Sequence, residues 1–241
     1  MILPKDSYIR YPPTKIHPDQ IVVFNAIRYS IDICEISYLR LLENLSTLTD
    51  KGKIDSQDFA KIFLDVWSII NNSVIFKKIV CREFGLIGNE IHFGEINKAI
   101  KLRDTNQHID ERLSQVFANN DYPIYGSLSW IKLYLNSEFI YSAIFSGSFT
   151  NKESANISIS NKNHEELSDV IQKIEFTSIS RKGNKPNYIF ENESILINQI
   201  IADLMWWISE LDKQIAELNE KAKFSEIHSS DLLIQLKGKI I

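Results

Sequence analysis

The recurrence Ile21, Phe24, Ile27, Ile31, Cys34, Tyr38, Leu41, Leu45 and Leu48 constrains this chain more than any other feature. Apolar residues return every three or four positions over many turns, which is the signature of one long amphipathic helix. It should start at Pro18 or Asp19 and stop at Asp50-Lys-Gly52. A second run, Phe59, Ile62, Phe63, Val66, Ile69, Ile70, Val74 and Val80, follows after a short polar turn, with Ser56 as its cap and Phe84-Gly85 as its end. Trp67 and Phe76 widen its apolar face. Two long helices joined by so short a turn form an antiparallel hairpin, and everything that follows must pack against it.

The remaining pattern predicts a mainly α, α+β chain: a bundle of four long helices with an antiparallel β meander inserted between helices 3 and 4. Residues 1–18, rich in proline, read as an extended arm anchored by Tyr8 and Tyr11. The bundle takes residues 19–121 and 192–241, and the β-rich insertion residues 122–191. Helix 3 opens after Gly88-Asn89 and runs to Asn119-Asn120-Asp121. The insertion alternates polar and apolar residues over 128–135, 139–149, 155–160, 171–179 and 188–190, with a hairpin turn at Arg181-Lys-Gly-Asn-Lys-Pro186. Asn192-Glu-Ser194 should cap helix 4, where Trp206 and Trp207 call for burial on more than one side. A short amphipathic piece is expected over Asp231–Leu236.

Net charge of -4 and a pI near 5.8 argue against a surface that clings to nucleic acid everywhere, while leaving room for a local basic site. Cys34 and Cys81 lie far apart in apolar helical stretches and read as buried free thiols of a reducing compartment. With no basic-then-apolar leader and no apolar run of about 18 to 20 residues, the expected location is the cytoplasm, with no membrane partner. The chain carries no Gly-rich phosphate loop, no Gly-x-Ser-x-Gly and no zinc-spaced Cys or His cluster, so the expectation is no cofactor and no metal.

Helix 3 is the exception to ordinary amphipathicity, since from Arg103 to Arg112 only Ile109 is large and apolar. On a continuous helix Asp104, His108 and Arg112 stack along one face at spacing four, beside Glu111. Arg103 and His108, five residues apart, would point about 140° from each other. They could then meet on one substrate only where two copies of the helix face each other across a two-fold axis. The plain alternative is a solvated face laced by i,i+4 ion pairs, each contributing a few tenths of a kcal/mol.

The run Arg103-Asp-Thr-Asn-Gln-His108 resembles the Arg-x4-His signature of the HEPN superfamily, and the continuation His108-Ile-Asp-Glu-Arg112 is similar to a His-Phe-Asp-Glu-Arg pattern in bacterial proteins of the same general shape. The resemblance implies a helical, often dimeric protein and, in many members, metal-independent ribonuclease activity in toxin–antitoxin, antiphage and CRISPR-linked systems. It makes Arg103 and His108 the catalytic pair, with Asp104 where asparagine is commonest, and RNA or an antitoxin-like protein the partner. In that chemistry a ribose 2′-hydroxyl attacks the neighbouring phosphate, His108 moves a proton and Arg103 stabilises charge on the phosphoryl oxygens. Asp104 would orient the imidazole and Asn106 would bond phosphate or base, with Glu111 and Arg112 in support. A second reading is a catalytically silent interaction module that dimerises or binds a protein. Lys77-Lys78 with Arg82, and Arg181, Lys182 and Lys185, are lesser candidates for phosphate contact; His17 reads as a surface or packing histidine, and His92 and Phe93 as packing or capping residues.

Overall fold

A computed structural model describes residues 1–12, 17–52, 56–113, 122–134, 138–147, 170–183, 189–222 and 235. The protein is α+β and mainly helical, with a four-stranded antiparallel sheet. Its elements are α1 (Pro18–Lys51), α2 (Ser56–Phe84), a 3-10 turn (Ile91–Phe93), α3 (Gly94–Gln107), α4 (Ile109–Arg112), β1 (Ser127–Leu133), β2 (Phe139–Phe145), β3 (Val170–Lys182), β4 (Ile189–Leu196) and α5 (Ile197–Ala222). The expected strand at 155–160, the piece at Asp231–Leu236 and the hairpin turn at 184–188 lie outside the described residues.

α1 starts and stops where its sequence directs. His17 and Gln20 form a reciprocal cap, the Asp19 amide donating to His17 Nδ1 and the His17 amide to Gln20 Oε1. Gly52 ends the helix in the left-handed region at φ 63°, its N–H donating to the Leu48 carbonyl. The inner face of α1 (Ile27, Ile31, Cys34, Leu41, Leu45) packs against that of α2 (Ile62, Val66, Ile69, Ile70, Val74) in one core shared with the sheet. Each such side chain contributes roughly 1.5–3 kcal/mol by leaving water. Among the described residues, Gln57–Phe84 is the one helix long and apolar enough to cross a membrane; more than half of its most apolar window is buried inside the protein. It also carries a buried carboxylate, Asp65, bonded to Arg40 of α1.

The N-terminal arm is turned rather than extended, with Arg10 and Tyr11 amides both donating to the Ser7 carbonyl. Its anchors are Ile2, Leu3 and Ile9, all buried, while Tyr11 remains half exposed. Arg10 grips Asp32 of α1 with two hydrogen bonds, at 2.5 and 3.0 Å. Tyr8 packs against the same core as expected, whereas Tyr11 does not serve as an anchor.

The sheet is two hairpins side by side, in the order β2-β1-β3-β4, rather than a sequential meander. β3 pairs with β1 instead of β2 because Leu128, Trp130, Ile171, Ile174 and Phe176 must share the face turned to the helices. Between Ser129↔Glu175 and Ile131↔Gln172 the register shifts by one, so that Trp130 opposes both Lys173 and Ile174. Lys173 takes φ 48° at this bulge. The Ile174 amide donates to Asn198 Oδ1 of α5 at 2.6 Å, and Asn198 in turn donates to the Tyr38 hydroxyl.

Asn192, Glu193 and Ser194 are not the cap of the last helix. They pair with Ile179, Ser178 and Thr177 as part of β4, and the strand passes directly into α5 at Ile197. The capping acceptor comes from elsewhere, for Glu95 of α3 receives the Leu196 amide at 2.8 Å. α5 is also less enclosed than its tryptophans suggest: Trp207 is buried against Phe93, but Trp206 and Met205 are exposed.

Candidate functional site

Ile96, Ala99, Leu102 and Thr105 are buried at spacing three and fix the inner face of α3. Its polar side then faces the β3–β4 hairpin of the same chain. Lys101 pairs with Glu193 at 2.8 Å, and Asp104 with Arg181 at 3.2 Å. These contacts answer what the polar middle of the helix is for, and they take Arg181, a candidate phosphate ligand, into an ion pair. Lys182 pairs likewise with Glu191. Lys77 turns inward, bonding Asn97 and lying over the Phe93 ring, while Arg82 bonds Glu83. Lys185 lies outside the described residues.

The third helix is not continuous to residue 121. α3 ends at Gln107, His108 adopts φ −117°, ψ 28°, and helix resumes as the single turn Ile109–Arg112. Residues 114–121 lie outside the described part. Asp104, Thr105 and Asn106 all offer side-chain oxygens that compete for nearby backbone donors. Thr105 is also β-branched, and its hydroxyl reaches back to the Lys101 carbonyl. The His108 amide meets the Thr105 carbonyl at 3.3 Å, a three-residue spacing that tightens the chain before the break. The straight stripe Asp104–His108–Arg112 therefore does not form as drawn, and the 140° separation of Arg103 from His108 no longer follows from helix geometry.

Arg103 is half-buried, and its Nε is buried without a hydrogen-bond partner among the described residues. His108 is exposed. Asp104 is part of the Arg181 ion pair, so its carboxylate serves the hairpin as well as any neighbour on its own helix. Asn106 turns to the opposite wall, where it lines a cavity with Phe63, Trp67 and Tyr125. Glu111 and Arg112 are placed in α4, and their side chains lie outside the described part.

A second polar cluster, which the sequence did not announce, joins the 3-10 turn to α5. His92 Nδ1 lies 3.3 Å from buried Asp203, whose same oxygen receives Gln199. The imidazole stacks on Trp206 at 4.0 Å between centroids, and Trp207 Nε1 donates to the His92 carbonyl. The partners are 111 residues apart, and no spacing rule could have paired them. Lys132 escaped notice for the same reason: it is fully buried on β1, with its ammonium on Ser46 and Asp50 of α1.

Burial pushes both thiols above the ordinary range, Cys34 most strongly, and both cysteines are free. Among the described residues no group of three or more His, Cys, Asp or Glu side chains could hold a metal ion. No family model, no curated protein and no solved structure matches this chain.

Proposed function

We propose that the chain is a HEPN-like, metal-independent ribonuclease that acts as a dimer in the cytoplasm, with Arg103 and His108 as its catalytic pair. In this reading the helices form the HEPN-like bundle and the two-hairpin sheet is its insertion. The observation that carries it is the break at His108. An imidazole released from helical geometry stands exposed one turn beyond the half-buried guanidinium of Arg103, whose Nε has no acceptor among the described residues. His108 takes the proton of a ribose 2′-hydroxyl as that oxygen attacks phosphorus; Arg103 holds the phosphoryl oxygens; the 5′-oxygen leaves and is protonated. The products are a 2′,3′-cyclic phosphate and a 5′-hydroxyl. A second copy of the α3–α4 segment, facing the first across a two-fold axis, supplies the other half of the composite site and the leaving-group proton. The test is cleavage of labelled RNA in excess chelator by wild type, Arg103→Ala and His108→Ala. Loss of cleavage in both variants is expected, and cleavage unchanged in either would sink the assignment.

One observation favours the second reading, a catalytically silent interaction module. Val22, Tyr29 and Ile36 repeat at seven residues along α1, and with Ile33 they form an apolar stripe turned to solvent. Light scattering on wild type and on a Tyr29→Asp, Ile36→Asp double variant decides whether that stripe joins two copies. A dimer abolished by the substitutions while RNA stays intact in every assay would establish this reading over the first.

A further inference from the structure

A cavity of about 460 Å³ opens between the first turns of α2, the last turn of α3 and the turns that precede β1 and follow β2. That lies within the range of roughly 300–1,000 Å³ typical of small-ligand sites. Phe59, Phe63 and Trp67 make its walls, and the exposed side chains of Leu64 and Tyr125 stand at its mouth. The walls are fixed. Trp67 Nε1 donates to the Tyr125 carbonyl at 3.2 Å, the Tyr125 amide to Ser146 Oγ at 2.7 Å, and that hydroxyl to the Gly126 carbonyl at 2.8 Å. The side-chain amide in this lining is that of Asn106, and it makes no hydrogen bond among the described residues. A planar aromatic ring with a donor beside an acceptor satisfies such a site, stacking on the rings while it pairs with the amide. His108 is two residues further on, so its Cα lies within about 7.6 Å of that of Asn106, a distance on the scale of one nucleotide.

We infer that this cavity is a base-recognition pocket that takes one unstacked nucleobase of single-stranded RNA and so sets the phosphate presented to His108. The inference rests on the ribonuclease reading for its substrate and not for its test. The probe is a fluorescein-labelled 2′-O-methyl RNA oligomer, which cannot be cleaved because the attacking hydroxyl is blocked, bound to the full chain and read by anisotropy. An abasic oligomer of the same length should bind at least about tenfold more weakly, since stacking dominates such contacts. Asn106→Leu and Ala60→Phe, both at positions that are not fully buried, should each erase most of that difference while leaving the melting temperature near wild type. Equal binding of the two oligomers, or a difference that survives in both variants, overturns the pocket. Adenosine that displaces the oligomer at equal concentration would make the ligand a free nucleoside and overturn the RNA assignment. Base-dependent binding without cleavage of ordinary RNA would defeat the ribonuclease reading and leave the pocket standing. Cleavage with no base dependence would do the reverse.

Discussion

Arg40→Ala tests what holds the first two helices in register. Asp65 has a side chain only 2% exposed, in the middle of the α1–α2 interface, and its partner Arg40 is 54% exposed. Burial raises the Asp65 carboxyl above its ordinary range, and the hydrogen bond and charge of Arg40 pull it partway back. Removing one member of a fully buried pair costs about 3–5 kcal/mol. Solvent reaches the guanidinium here, and that screening brings the expected loss to about 2 kcal/mol at neutral pH. For a chain of this length the melting temperature should fall by roughly 4–8 °C. The sign of the pH dependence follows from the direction of the shift. A carboxyl whose pKa is raised by folding is better tolerated when protonated, so the deficit of Arg40→Ala shrinks as pH falls from neutrality through the raised value. Urea unfolding at about pH 7 and about pH 5, with Arg40→Ala/Asp65→Asn as the control that removes the charge, measures it. A single variant within about 0.5 kcal/mol of wild type, or a deficit that the added Asn does not relieve, refutes the reasoning.

Three further substitutions probe other joints. At Gly126, with φ 94°, an added Cβ would lie 2.6 Å from the Phe176 ring and 2.8 Å from the Thr177 carbonyl. Gly126→Ala should cost about 3 kcal/mol or more by strain and overpacking, and a thermal melt unchanged from wild type would contradict the turn geometry. Glu95→Ala removes the acceptor for the Leu196 amide as well as the Lys98 pair; a loss of about 1–2 kcal/mol is expected, with faster hydrogen exchange confined to the start of α5. Lys132→Met should cost less than Asp50→Ala, because the first removes a buried charge together with its need for a partner and the second strands it. Chemical denaturation giving the reverse order would show that the ammonium reaches water by another route.

The local rules carried the hairpin and failed where partners lie far apart in the chain. The three-and-four recurrence placed α1 within a residue of its bounds, because its cap, its left-handed glycine and its apolar stripe are all written within four residues of where they act. Period-two alternation likewise found β1, β2 and most of β3. The strand order was not legible: alternation says which face a residue takes and nothing about which neighbour it joins. Asn192 to Ser194 read as a cap because those residue types suit one, yet ladder bonds to β3 claimed them, and Glu95 did the capping from 101 residues away.

The candidate site divides in the same way. Sequence alone determined that a helix bearing Arg103, Asp104, Asn106 and His108 follows the hairpin, and that its polarity needed an explanation. Tertiary structure decided the rest. It spent Asp104 and Lys101 on the second β-hairpin, broke the helix at His108, left Arg103 Nε buried without an acceptor among the described residues, and turned Asn106 into a cavity walled by α2. The reason is physical: helical periodicity fixes the direction of each side chain from the axis, but what stands in that direction depends on contacts between segments distant in sequence.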